Sequence, residues 1–242
     1  MEVRTSVIEK RLQNVNRIIA VASGKGGVGK SLVASNLALH LVDNGYHVGL
    51  LDLDLYGPSS HVILGVNDFS FPEEEKGIIP FKINNIHFMS LVYFSEDKPA
   101  PFRGVDITNI IIELLAITQW GNLDYLIIDM PPGIGDEVLD IITYVKRCEF
   151  LVVSTPSKVS MAAVGKLLCI LKELNLAIVG VIENMKMNKD DFIKKTVVSQ
   201  DILYLGSINF DHELEDAIGN CANLLKTKFI KDLSFCLKNS IV

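Results

Sequence analysis

The sequence predicts an α/β fold, a three-layer αβα sandwich around a mostly parallel sheet, and three observations carry that expectation. Short β-branched apolar runs recur along the chain, each ending in Gly, Asp or Pro. Each run is followed by a longer segment with helical spacing, the alternation of a parallel sheet with crossover helices. Several runs are apolar almost throughout, as strands are when helices cover both faces of a sheet. With 242 residues, 49% of them apolar and 21% charged, the chain has material for one core, so 1–242 is read as a single domain.

Taken in order, Val3 to Leu12 reads as a short helix packed outside the sheet. Strands are expected at Arg17 to Ser23, His47 to Asp52, Ile86 to Leu91, Tyr125 to Asp129, Phe150 to Thr155, Ile178 to Glu183 and Ile202 to Gly206. Helices are expected at Ser31 to Asn44, Ile107 to Thr118, Glu137 to Arg147, Val159 to Leu174 and Glu213 to Leu225. The stretch from Gly65 to Ile83, carrying Pro72, Glu73, Glu74, Glu75, Gly77 and Pro80, reads as a surface excursion.

Charge and cysteine usage narrow the function classes. Twenty-three Lys plus Arg against 29 Asp plus Glu leave a net charge of -6, the wrong sign for a generic nucleic-acid binder. No apolar run approaches the roughly 18 residues of a membrane span. Met1 to Asn16 is too charged for the apolar core of a signal peptide, so a cytoplasmic protein is expected. Cys148, Cys169, Cys221 and Cys236 lie far apart and form no C-x-x-C pair, which gives neither a disulfide framework nor a zinc ribbon. Cys148 and Cys169 read as small buried hydrophobes.

The strongest chemical signal is Ser23-Gly24-Lys25-Gly26-Gly27-Val28-Gly29-Lys30-Ser31, which contains G-x-x-x-x-G-K-[ST] between an expected strand and an expected helix. The glycines allow positive φ and close backbone approach, so successive N–H groups can face one anion at the positive end of the helix. The phosphate-binding set is therefore Gly24, Lys25, Gly26, Gly27, Val28, Gly29, Lys30, Ser31 and Leu32. Lys30 would neutralise the β- and γ-phosphates, and the Ser31 hydroxyl would ligate Mg2+. Lys25 is additional to that pattern. Its charge is either solvated or offered to a phosphate, including one held by another subunit.

Two acidic strand ends complete the set. Asp52 and Asp54, two residues apart, fall on the same side of an extended chain, at the end of a strand that borders the ligand crevice of an open sheet. One carboxylate can order Mg2+ and its waters while the other orients an attacking water; the plainer reading is an Asp-rich cap before the Gly57-Pro58 turn. Asp129 ends the apolar run Tyr125 to Ile128, as a Mg2+-supporting carboxylate does in P-loop proteins, and Met130 to Gly135 reads as a switch loop. Asp136 reads first as the N-cap of the next helix.

These motifs in this order resemble the deviant Walker A ATPases, and more closely their Mrp-like (ApbC-type) branch of iron-sulfur cluster carriers. The resemblance runs from about Arg17 to Ala217. It includes Tyr56-Gly57-Pro58-Ser59, Phe102-Arg103-Gly104, Trp120 to Tyr125, Ser154-Thr155-Pro156, Gly180 to Met185 and Leu205 to Ile208. It implies a homodimer sandwiching ATP, with Lys25 reaching the partner's nucleotide, Asp54 positioning the hydrolytic water, Asp129 supporting Mg2+ and Asn184 bonding the adenine. It implies slow ATP hydrolysis and a role in iron-sulfur cluster assembly or carriage, with a client protein as partner.

The resemblance breaks at one place. The family's C-x-x-C follows the Glu-Asn-Met segment, whereas Met185 to Phe192 here contains no cysteine, so the expected cluster ligands are missing. A carrier without them would act as an ATP-dependent partner. The alternative class is a positioning switch of the MinD and ParA type, whose ATP-closed dimer binds a membrane or an adaptor. Its signal would be the C-terminal segment from Leu224 to Val242, read here as a helix packed on its own sheet rather than on a membrane.

Overall fold

The computed structural model describes residues 3–54, 57–67, 72–95, 104–238 and 240–241. Among these residues eight strands form one sheet: β1 (Val15–Ser23), β2 (Val48–Asp52), β3 (Phe81–Ile83), β4 (Ile86–Ser90), β5 (Leu123–Asp129), β6 (Cys148–Ser154), β7 (Ala177–Lys186) and β8 (Tyr204–Asn209). Their spatial order is β3-β4-β2-β5-β1-β6-β7-β8. Every neighbouring pair is parallel except β3–β4.

Alternation along the central strands sends side chains to two cores. Ile18, Ala20 and Ala22 of β1, with Leu126 and Ile128 of β5, meet one helical layer: α1 (Val3–Leu12), α5 (Gly104–Ile117), α6 (Asp136–Tyr144), α7 (Lys158–Glu173) and α8 (Phe192–Val198). Ile19, Val21 and Ile127 point the other way, into α2 (Lys30–Asp43), α3 (Ser60–Leu64), α4 (Val92–Ser95), α9 (Leu214–Ala217), α10 (Cys221–Leu224) and α11 (Lys228–Leu237). The sheet buried on both sides is why its strands read as unbroken apolar runs. The three-layer α/β sandwich expected from sequence is thus the observed architecture.

All seven expected strands and the helix Val3–Leu12 are present, with only strand ends moved. The eighth strand, β3, lies inside the stretch read as a surface excursion, which is a correction. Asn84 and Asn85 take φ of 46° and 65°, so a tight turn folds Phe81–Ile83 back along β4. Ile78 of the same stretch is buried beside Thr118.

The expected helix from Glu213 to Leu225 is also corrected. It breaks into α9 and α10 at Ile218-Gly219-Asn220, where Gly219 has φ 83° and the Asn220 side chain caps α10 by accepting from the Asn223 N–H. Beyond it, Thr227 caps α11, whose Phe229, Ile230, Leu233, Cys236 and Leu237 are buried against the sheet. The apolar face of the C-terminal helix is therefore taken by the chain's own core. Among the described residues no helix is long and apolar enough to cross a membrane.

Candidate functional site

β1 delivers the chain to the centre of the sheet and stops at Ser23; α2 starts at Lys30. Between them Gly27 and Gly29 hold φ of 77° and 78°, the left-handed region that a side chain resists. Gly29 is the N-cap of α2 and supplies no side-chain cap, which leaves the first N–H groups of the helix for a ligand. Gly24 answers to packing instead. A Cβ there would lie 2.5 Å from Ala163 C and Val164 N, because the loop leaves the sheet flush against α7. Gly24→Ala is expected to lower the unfolding free energy by about 1–3 kcal/mol, the usual cost of overpacking against backbone. A urea midpoint equal to that of the parent would show that α7 yields at no cost.

Beneath the loop lies a buried charge cluster. Lys30 Nζ donates to Asp129 Oδ1 at 2.5 Å and stands 3.9 Å from Asp54 Oδ2. Asp129 Oδ2 accepts from the Ser60 hydroxyl at 3.1 Å, and Asp52 accepts from the N–H groups of Asp54 and Ser60. Asp52 and Asp129 are side by side in the β2–β5 register, both sealed from solvent. Burial, and then the Asp129 carboxylate, push Asp52 up to about 8, against the pull of Lys30. One ammonium therefore does not keep both carboxylates ionised: Asp52 holds its proton at neutral pH, and a divalent cation beside it would displace that proton. Ser60 was not read from the sequence as a site residue. The only hint was a serine pair following Gly57-Pro58.

Above this cluster opens a hollow of about 490 Å3, lined by Lys25, Gly26, Gly27, Gly29, Lys30, Ser31, Leu32 and Asp54 among others. The geometry thus gathers most of the expected set, and Lys25 Nζ has no hydrogen-bond or ion-pair partner among the described residues. Val28 is elsewhere, buried in the core under the loop, where its carbonyl accepts from Asn184 Nδ2 at 2.9 Å. Asn184 braces the cradle from β7 and does not line this hollow; a Cβ on Gly29 would come within 2.4 Å of its Nδ2. Asp129 and Asp52 sit below the floor. The 130–135 segment is tied to β1 by Gly133 N donating to the Ser23 carbonyl. Gly135, not Asp136, is the N-cap of α6, and the Asp136 side chain lies outside the described residues. Tyr56, Phe102 and Arg103 also lie outside them.

A glycine cradle at the tip of the central strand, a lysine opening the helix and an aspartate ending the neighbouring strand define a P-loop NTPase. A family model described as ParA: NUBPL iron-transfer P-loop NTPase matches residues 14–228, and the chain belongs to that family. Curated relatives named iron-sulfur cluster carrier protein include one from Pseudomonas fragi, 39% identical over 180 residues, covering 73% of this chain and 63% of the relative. Another, from Aquifex aeolicus, is 42% identical over 179 residues, covering 73% of this chain and 49% of the relative. The chain thus spans between about half and two thirds of the length of these two relatives. Among solved structures, a nucleotide-binding protein from Archaeoglobus fulgidus in complex with ADP aligns with TM-score 0.78 and 29% identity over 92% of this chain and 93% of that one. The septum site-determining protein MinD of Pyrococcus horikoshii shares the fold, with TM-score 0.67 and 22% identity over 91% of this chain and 93% of its own.

The cysteines are dispersed. Cys148, Cys221 and Cys236 are buried, and burial pushes the Cys148 and Cys236 thiols up to about 12. Cys221 Sγ points to the Leu64 carbonyl, whereas Cys236 packs against Gly206. Cys169 is exposed, which corrects the expectation of a buried thiol. In α7 the core stripe is Leu167, Leu168 and Leu171, and position 169 falls on the outer side. Where the family motif would place its cysteine pair, Met187 is 79% exposed and Lys186 Nζ bonds Glu183 Oε2 at 2.9 Å.

Proposed function

We propose that the chain binds Mg-ATP, closes as a homodimer around it, hydrolyses it slowly and serves iron-sulfur cluster assembly as an ATP-dependent partner of a client protein. The observation that carries this reading is the Lys30–Asp129–Asp52 cluster directly under a cradle of unbonded helix N–H groups. The cradle fits a polyphosphate, since its cations, open glycines and volume suit one. Ser31, with Asp52 and Asp129 behind it, fits Mg2+, whose charge would balance the surplus carboxylate and the phosphates.

The chain's own groups then do the following. Lys30 leaves its bond with Asp129 in part to meet the β- and γ-phosphate oxygens, and Asp129 keeps the ammonium in place. Asp54 lines the hollow with its side chain 15% exposed, Oδ1 accepting from the Gly57 N–H and Oδ2 3.9 Å from Lys30 Nζ, a position from which the carboxylate would orient a water at the γ-phosphate. That water attacks the γ-phosphorus, the β–γ bridging P–O bond breaks, and ADP and phosphate leave with the water's proton passing to Asp54 or to phosphate. Lys25 supplies charge to the partner's transferring phosphoryl group.

Phosphate release by the purified chain, abolished in Asp54→Ala while ATP still binds, is the expected result. Release that persists in the variant would remove Asp54 from the chemistry. Anaerobic reconstitution is expected to leave no stoichiometric iron and acid-labile sulfide on the chain, because its thiols are scattered and three are buried. A stoichiometric cluster would return the chain to the carriers proper.

A further inference from the structure

A second cavity, of about 510 Å3, opens at the opposite end of the sheet, where α1 ends and β1 and β5 begin. It is about 26 Å from the cradle, at roughly 3.3 Å per residue along the nine residues of β1. In a chain of net charge -6, its lining carries Lys10, Arg11 and Lys76 and no acidic side chain. Of the acids nearby, Glu9 pairs with Lys146, and Glu73, Glu74 and Glu75 precede Lys76 in the adjoining turn without lining the cavity.

The cations are held in different ways. Arg11 is fixed, its Nε donating to the Ala116 carbonyl at 3.0 Å and its Nη2 to the Lys76 carbonyl at 2.5 Å. Two of its five N–H donors are thereby used and three are left for a ligand. Lys76 stands at the tip of a turn with φ 57°, an uncommon backbone state for a long side chain. The ammonium groups of Lys10 and Lys76 have no ion-pair partner among the described residues. Trp120 completes the wall. It is 1% exposed, and its Nε1–H has no acceptor among the described residues, a state that buried donors rarely keep. None of these groups serves the cradle.

We infer that this cavity binds a small anion through its carboxylate or phosphate oxygens, which take the free donors of Arg11 and the ammonium groups of Lys10 and Lys76, against the wall that Trp120 forms. The site is independent of the nucleotide reading.

Trp120 is the single tryptophan, so an 15N-labelled full chain gives one indole cross-peak that reports this cavity and no other. Titration with citrate and with pyrophosphate, at matched chloride ionic strength, is expected to move that peak saturably; the anion that saturates it at lower concentration identifies carboxylate or phosphate as the preferred group. The double variant Lys10→Gln/Lys76→Gln, which changes two exposed side chains, is expected to weaken the binding by about tenfold, as loss of two partly screened charges would. No saturable shift with either anion would overturn the inference, and so would equal affinity in the double variant. A poly-glutamate peptide that moves the peak where neither small anion does would overturn it too, in favour of an acidic protein segment.

Discussion

Lys25→Ala is expected to bind ATP nearly as the parent does and to turn it over about 10^3 to 10^5 times more slowly. The Lys25 ammonium has no partner among the described residues, and the Lys25 carbonyl, which accepts from the Ser23 hydroxyl, is kept in the variant, so removing the side chain costs the fold little. The phosphates keep Lys30 and the free N–H groups of α2, which preserves ground-state affinity. What is lost is a cation placed on charge that develops only as the γ-phosphoryl group transfers, and that loss falls on turnover rather than on binding. The range corresponds to about 4 to 7 kcal/mol. Single-turnover phosphate release beside equilibrium binding of a fluorescent ATP analogue separates the two quantities. Mixing Lys25→Ala with Asp54→Ala gives a sharper check of the dimer. If Lys25 acts across the interface, a mixed dimer keeps one complete site, and activity reappears although neither variant has any. Undiminished turnover in Lys25→Ala alone would return this residue to the solvated lysines of a surface loop.

The sequence disclosed the centre of this molecule better than its margins, for physical reasons visible at particular residues. Strands β1, β5 and β6 are covered on both faces, so their apolar runs admit one reading. The cradle was legible because its backbone demands glycine at fixed positions: Gly27 and Gly29 are where positive φ occurs. β3 was missed since three residues show no period, although Asn84-Asn85 held the signal of a tight turn. The break between α9 and α10 was missed because a glycine inside an apolar helical pattern is not by itself a stop. Gly219 marks one here because its N–H donates to the Ile63 carbonyl and its own carbonyl presses on Gly65, contacts between segments distant in sequence. Ser60 escaped for the same reason, its partners being Asp52 and Asp129 on two different strands. The adenine role of Asn184 rests on resemblance, and what the structure adds is its bond to the loop's own backbone at the Val28 carbonyl.

The same cluster makes Lys30 a structural residue as well as the proposed phosphate ligand, and the two roles can be taken apart. Lys30→Met removes the cation that pairs with Asp129, in a cluster where Asp129 is 0% and Asp52 is 1% exposed. Stripping one partner from a buried ion pair costs about 3–5 kcal/mol, because the remaining charge is left without compensation. Among the described residues the Asp129 carboxylate then keeps only the Ser60 hydroxyl, and Asp52, already raised by burial and then by Asp129, loses the Lys30 charge that lowers it. In urea titrations without nucleotide, Lys30→Met is expected to unfold at a clearly lower midpoint than the parent, with ATP binding abolished. Adding Asp129→Asn, which removes the orphaned charge, is expected to restore much of the stability and none of the binding. Recovery of both would mean that Lys30 is dispensable to the phosphates. A midpoint unmoved by Lys30→Met would mean that water or rearrangement already shields Asp129, and that the short Lys30–Asp129 contact contributes nothing to the resting fold.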